Sequence, residues 1–372
     1  MISKALVVGA YHGKLREISK LGVDLSVVVP DRWGGQKLED LQADGYELLV
    51  TDCRFNAGIP ERSTHHFHYY PGISNIVERE DWDVVHIDEE AFNFVTYHSA
   101  RACGRKGRRV VFFSWQNLMK RYPPPFNFFE HWVFDKALAA IAGSEEVLEI
   151  MRRRGFSKPV SVIPQFGVDP SRFRRQEAET LRRKLGLNGA FAVGFIGRIV
   201  QEKGLDTLVK ALGLLPQDSV LVLIGSGPYR AKLESLVREL GLEKRIRWAP
   251  WVNSEEVPEY MNAFDALALP SRTTRAWKEQ FGRVLIEAMA CETYVVGSDS
   301  GEIPNVIGDA GLVFHEGDER ALADQLRKLM GDSSLRESLG RRGRERVLER
   351  FTHAKIAMDT VDFYSRVCSS NS

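Results

Sequence analysis

Short apolar, β-branched runs alternate with helical patterns from one end of the chain to the other, and this rhythm restricts the fold more than any other feature. Strands separated by helices pair in parallel, because each crossover lays a helix on a face of the sheet. Such strands are covered on both sides, so they read as nearly continuous apolar runs. In the first half the runs fall at 5–8, 26–29, 48–51, 84–87, 110–113, 139–142 and 160–163. In the second half they fall at 192–196, 221–224, 246–248, 266–269, 293–296 and 312–314. Two series in 372 residues predict two doubly wound α/β domains facing across a cleft, with ligands at the C-terminal ends of the strands.

The segment Ile163-Pro164-Gln165-Phe166-Gly167-Val168-Asp169-Pro170 punctuates the middle of the chain, and a charged helix is expected over 176–185. The predicted domains are therefore 1–165 and 166–350. A tail, 351–372, carries a last helix over about 353–367 that follows the final strand. The 51 basic and 50 acidic residues nearly cancel, which gives no case for a nucleic-acid partner. No apolar run approaches the roughly 20 residues of a membrane span, and nothing resembles a signal peptide. Cys53, Cys103, Cys291 and Cys368 lack CxxC spacing, so reduced thiols in a cytoplasmic protein are expected and a structural zinc is not.

The chemistry concentrates in Glu279-Gln280-Phe281-Gly282-Arg283-Val284-Leu285-Ile286-Glu287. A Phe-Gly break opens a helix, placing Glu279 on the preceding loop and Glu287 on the second turn. A helix N-terminus favours anions, and carboxylates hold hydroxyls; together they suit a sugar nucleotide. Glu279 and Glu287 also fit a glycosidase acid and base, or two acids that favour a helix start. The run Phe195-Ile196-Gly197-Arg198 followed by Gln201-Glu202-Lys203-Gly204 supplies two cations at a strand's C-terminal edge, where a diphosphate would rest. Such an anionic donor is something a hydrolase does not need. Gly225-Ser226-Gly227-Pro228 tempts a nicotinamide-cofactor reading, but Arg230 stands where GxGxxG needs glycine, and Gly9 to Gly13 also misses that spacing. Gly13 remains a candidate for backbone contact with a phosphate.

Taken together, Gly197-Arg198-x4-Lys203-Gly204, Gly225-Ser226-Gly227-Pro228, Glu279-x7-Glu287 and Gly301-Glu302-Ile303-Pro304 resemble family 4 (group 1) of the retaining glycosyltransferases, which have the two-domain GT-B fold. The likeness covers the second domain well and the first only in strand order. It implies that Arg198 and Lys203 hold the donor diphosphate, Glu279 the donor sugar and Glu287 the ribose. Backbone at Gly197, Gly225, Gly227, Phe281 and Gly282 would line the donor site, and residues 248–252 would lie near the base. It implies no catalytic metal and no cofactor beyond the nucleotide-sugar co-substrate, and a C-terminal helix that crosses back onto the first domain.

The first domain, which the resemblance makes the acceptor side, departs from the pattern. Many family members carry a histidine at the end of a first-domain strand, but here that strand continues Ser114-Trp115-Gln116-Asn117. Gln116 and Asn117 could bond the sugar; neither shuttles protons as imidazole does. His86 reads as a core residue. Asp88, Glu89 and Glu90 leave the preceding strand as a solvated acidic face, or as a base for the acceptor hydroxyl. His65, His66 and His68 lack acidic or Cys partners at metal spacing and read as an acceptor loop. The basic stretches 101–109 and 152–158 flank the aromatic run 122–132, a combination that suits peripheral contact with the inner membrane face as well as it suits plain helix surface. The leading expectation is transfer of a sugar from a nucleotide to a hydroxyl of a glycan, lipid-linked or small-molecule acceptor. The alternatives are a non-catalytic nucleotide-sugar-binding subunit and a sugar-nucleotide epimerase.

Overall fold

The computed structural model describes residues 1–34, 36–39, 43–55 and 66–369, and divides into two compact units, Met1–Phe166 with His353–Ser372, and Gly167–Thr352. In the first unit the strands are β1 (Ser26–Pro30), β2 (Arg32–Trp33), β3 (Gln36–Lys37), β4 (Glu47–Thr51), β5 (Val85–Ile87), β6 (Val110–Ser114), β7 (Ala139–Ala142) and β8 (Val160–Val162). β2 and β3 form a small antiparallel ribbon, while β1 pairs with β4, and β5 to β8 pair in order, all in parallel. Ile2 closes the gap by bridging Val28 of β1 and Ile87 of β5. Its amide donates to the His86 carbonyl and its carbonyl accepts from the Asp88 amide, each at 2.8 Å. The sheet order is thus β4-β1-Ile2-β5-β6-β7-β8, and it reverses direction between Ile2 and β5.

The strand expected at 5–8 is not there. Ala5–Val7 and Gly9–Tyr11 wind into 3-10 turns. The ladder stops because the next amide, Lys4, donates to the Glu89 Oε1 at 3.1 Å instead of to a strand. Leu6 is still buried, packed with Leu15, Ile18 and Val27, so an apolar run served the core in another conformation.

Alternate residues of β6 and β7 feed opposite faces of this sheet. Val110, Phe112, Ala140 and Ala142 join one core, and Val111, Phe113, Ala139 and Ile141 the other. The second core is completed by Ile356, Phe363, Tyr364 and Val367 of the C-terminal helix His353–Ser369, which returns to this unit and also packs on helix Gly13–Lys20. His86 is a core residue, 2% exposed, with its Nδ1 2.6 Å from the Tyr364 hydroxyl.

The second unit contains β9 (Phe191–Ile196), β10 (Ser219–Ile224), β11 (Ile246–Ala249), β12 (Ala266–Leu269), β13 (Tyr294–Ser298) and β14 (Leu312–Phe314). They form one parallel sheet in the order β11-β10-β9-β12-β13-β14. β10 is buried along its whole length, and each fully buried Leu, Ile or Val contributes roughly 1.5–3 kcal/mol. The charged helix expected over 176–185 is shorter, Glu179–Lys184. Strand order reverses between β9 and β12, and in open α/β sheets that switch point opens the crevice where ligands bind.

Candidate functional site

The residues that follow β9 and β12 meet at the second unit's switch point. Lys203, in the 3-10 turn Gln201–Lys203 after β9, places its Nζ 2.6 Å from Glu279 Oε2. Ser271, just past β12, donates to the same oxygen at 2.7 Å. Both charged side chains are largely covered, 15% and 9% exposed. Arg198 is exposed at the end of β9, and no hydrogen bond or ion pair among the described residues engages its guanidinium. A desolvated ion pair beside an uncommitted guanidinium is a grip for an anion that also carries hydroxyls.

Close backbone approach shapes this crevice. Gly204 has φ +63°, and a Cβ there would lie 2.0 Å from the Pro270 carbonyl oxygen, so the turn carrying Lys203 can sit directly on the end of β12. At Gly225 a Cβ would meet the Gly197 carbonyl oxygen at 2.0 Å, and at Gly227 the Ile199 carbonyl oxygen at 2.3 Å. These glycines are needed for loop-on-loop packing whatever else they contact. The Glu279 carbonyl accepts from the Glu302 amide at 3.2 Å, and Gly301 leaves no room for a side chain against it, so the Gly301-Glu302 segment buttresses Glu279.

Gly282, with φ +82°, caps helix Arg283–Ala290, and Phe281 just before it is buried. Glu287 lies on the second turn as expected, its Oε1 2.9 Å from Arg283 Nε. Burial pushes the Glu287 carboxyl up, against the pull of Arg283 and Arg172. At the far edge of this sheet Trp248 of β11 stacks under Arg230, 4.8 Å from its ring centre, and Trp251 is 63% exposed.

The first unit's switch point is built differently. Asp88 and Glu89, expected on a solvated face, are 5% and 4% exposed. Ser3 Oγ and Gln165 Nε2 donate to Asp88 Oδ2 at 2.8 and 2.9 Å, and Lys4 forms an ion pair with Glu89. Burial alone would raise the Glu89 carboxyl, but Lys4 and His68 outweigh it and hold it at about 2. The chain turns inward here because each carboxylate finds a donor on the strand across the switch point. Glu90 is the acid of the triplet that stays partly exposed. It accepts from Ser114 Oγ and the Trp115 amide, both at 2.7 Å, and burial pushes its carboxyl up to about 7. Asn117 is buried, and Gln116 Oε1 accepts from the Leu118 amide at 3.3 Å. Gly13 opens helix Gly13–Lys20 and packs on the His353 ring, which a Cβ would meet at 2.4 Å.

His65 lies outside the described residues. His66 Nδ1 is 2.8 Å from Asn93 Oδ1, and His68 is buried, which is not the loop expected of it. Among the described residues no group of three His, Cys, Asp or Glu could hold a metal ion, and no helix is long and apolar enough to cross a membrane. Three of the four basic residues of 152–158 serve the fold, while Arg153 is exposed beside Glu149. Arg154 pairs with Glu130, Arg152 donates to the Phe156 and Lys158 carbonyls, and Lys158 donates to the Ala137 carbonyl. Much of the aromatic run is packed internally, with Tyr122 stacked on Phe92 and Phe129 against Tyr97, while Phe128 is 54% exposed.

Two family models match in succession: Glycosyltransferase Family 4 over residues 14–172 and Glycosyl transferases group 1 over residues 177–346. The chain belongs to this glycosyltransferase family. Its fold is GT-B: HepE of Anabaena, solved in complex with UDP, is similar with a TM-score of 0.76 over 98% of each chain at 20% identity. Among curated proteins the chain is similar to 2-deoxystreptamine glucosyltransferase of Streptomyces kanamyceticus, 28% identical over 64% of this chain and 63% of the relative. It is also similar to N-acetyl-alpha-D-glucosaminyl L-malate synthase of Bacillus anthracis, 30% identical over 56% of this chain and 54% of the relative. The chain thus spans between a half and two thirds of the length of these relatives.

Within the family frame, the structure brings Gly197, Lys203, Gly225, Gly227 and Glu279 together around one switch point, with Glu287 on the helix that follows. Sequence reasoning missed Ser271. Its signal was a polar residue two positions after the apolar run 266–269, past Pro270, where strands deliver side chains to ligands.

Proposed function

We propose that this chain moves a sugar from a nucleoside-diphosphate sugar to a hydroxyl of a glycan, lipid-linked or small-molecule acceptor, retaining the anomeric configuration and using no catalytic metal. The reading is carried by the Lys203–Glu279 contact of 2.6 Å at the switch point, beside the exposed Arg198. Arg198 and Lys203 neutralise the diphosphate as the glycosyl bond lengthens, which is the charge stabilisation a metal would otherwise supply. Glu279 takes hydroxyls of the donor sugar. Glu287, released from Arg283, takes those of the ribose, while the amides at Phe281 and Gly282 face the phosphates from the helix start. Retention follows from front-face attack, in which the departing diphosphate accepts the proton of the acceptor hydroxyl. The two curated relatives are named for different acceptors, 2-deoxystreptamine and L-malate, which supports leaving the acceptor class broad.

Glu279→Ala separates the roles. Turnover should fall far more than affinity for the bare nucleoside diphosphate, which lacks the sugar that Glu279 holds. Calorimetry with UDP and GDP beside initial rates decides it; equal losses in both would remove Glu279 from the sugar.

A further inference from the structure

The loop from β12 to helix Arg283–Ala290 carries a tryptophan to the ion pair. It runs Pro270-Ser271-Arg272-Thr273-Thr274-Arg275-Ala276-Trp277-Lys278-Glu279 and is tied down along its length. The Arg272 amide donates to the Glu202 carbonyl at 2.8 Å, and its guanidinium to Asp206 Oδ2 at 2.8 Å. The Thr273 amide donates to Glu316 Oε2 at 2.6 Å. The tip is a closed turn in which the Thr274 amide donates to the Trp277 carbonyl at 2.7 Å, and Thr274 Oγ1 accepts from the Trp277 amide at 3.0 Å.

That turn sets the Trp277 ring centre 5.2 Å from Lys203 Nζ, the atom that touches Glu279. The indole is half-buried. A cation–π contact at a partly exposed site is weak, and Glu279 already fixes the lysine, so holding Lys203 does not explain the ring. A pyranose has a face of carbon-bound hydrogens and a rim of hydroxyls. An aromatic face beside a carboxylate matches both.

We propose that Trp277 is a specificity-determining wall of the donor-sugar pocket, packing on the sugar's apolar face while Glu279 takes its hydroxyls. The inference rests on the donor reading above and adds that the loop distinguishes a sugar nucleotide from the same nucleotide without sugar.

The test titrates the full chain and its Trp277→Phe and Trp277→Ala variants with UDP-glucose, UDP-N-acetylglucosamine, GDP-mannose and dTDP-glucose, and with UDP, GDP and dTDP. Tryptophan emission and thermal shift are the readouts. The sugar nucleotide that binds should change wild-type emission, and Trp277→Phe should lose most of that change while still binding. Trp277→Ala should weaken the sugar nucleotide by about 10-fold, the worth of one good aromatic contact, with the bare nucleotide unchanged. Equal weakening of both ligands, or of neither, overturns the assignment to the sugar. If none of these ligands shifts the wild-type chain, the donor reading falls and takes the inference with it.

Discussion

Both units place a lysine against a glutamate across a topological switch point, Lys4 with Glu89 in the first and Lys203 with Glu279 in the second. Around the second pair, Gly204 and Gly301 bring backbone to the crevice, and Arg198 stands exposed without a partner among the described residues. Around the first pair the space is filled by side chains. A tryptophan ring lies near each lysine, Trp33 5.1 Å from Lys4 Nζ and Trp277 5.2 Å from Lys203 Nζ. Only around the first pair, however, is His68 3.8 Å from the glutamate, with Ser3 and Gln165 satisfying the neighbouring Asp88 Oδ2. The same topology therefore carries the proposed ligand grip in one unit and a structural tie in the other. What separates them is charge left uncommitted and backbone left uncovered.

The largest effect should come from the uncommitted charge. Arg198→Ala removes a group that supports no other part of the fold, so melting should not change. Transfer, in contrast, should lose about 3 kcal/mol or more of transition-state stabilisation, on the order of 100-fold in kcat/KM. A variant that melts early, or that turns over at the wild-type rate, would erase the contrast drawn between the units.

The second test falls on the first unit. Glu90 ordinarily titrates near 4.5 and is pushed up to about 7 by burial, against Ser114, Trp115 and Lys4, which favour its charged form, with Glu89 adding repulsion. The folded state then binds the proton more tightly than the unfolded state, so stability falls as pH rises from about 4.5 to about 7, by up to about 3 kcal/mol. Glu90→Gln should flatten that fall and be the more stable chain at pH 8, by about 1–2 kcal/mol after the loss of one accepted hydrogen bond. Urea unfolding at pH 5 and pH 8 measures it, and parallel curves for variant and wild type would refute the tie.

The smallest effect concerns the helix that returns to the first unit. Tyr364→Phe removes the hydroxyl 2.6 Å from His86 Nδ1 and should cost about 1 kcal/mol, seen in melting, with donor binding untouched. A change in donor affinity would mean that the two units do not divide the work as described.

Much of the second unit was legible in the sequence. Parallel strands covered on both faces must be apolar along their length, so 192–196, 221–224, 266–269 and 312–314 each lie within an observed strand. Spacing likewise put Glu287 on a helical turn. The first unit was harder for two physical reasons. Its central strand is reduced to Ile2, too short to show as a run, while the apolar residues 5–8 coil into 3-10 turns and still reach the core. The triplet Asp88-Glu89-Glu90 looked solvated because charge run alone cannot reveal donors such as Ser3, Lys4 and Gln165, which lie far away in sequence. Trp277 was invisible for a similar reason. Only the Thr274 turn aims its ring at Lys203.

The central claim is that the second unit's switch point holds the diphosphate of a sugar nucleotide. Thermal shift of wild type and Arg198→Ala with UDP-, GDP- and dTDP-sugars tests it most directly, since a ligand that binds the folded state alone raises the melting point by mass action. One nucleotide series should stabilise the wild-type chain, and Arg198→Ala should lose most of that gain while melting normally without ligand. Equal stabilisation of both chains by the same nucleotide would contradict the account.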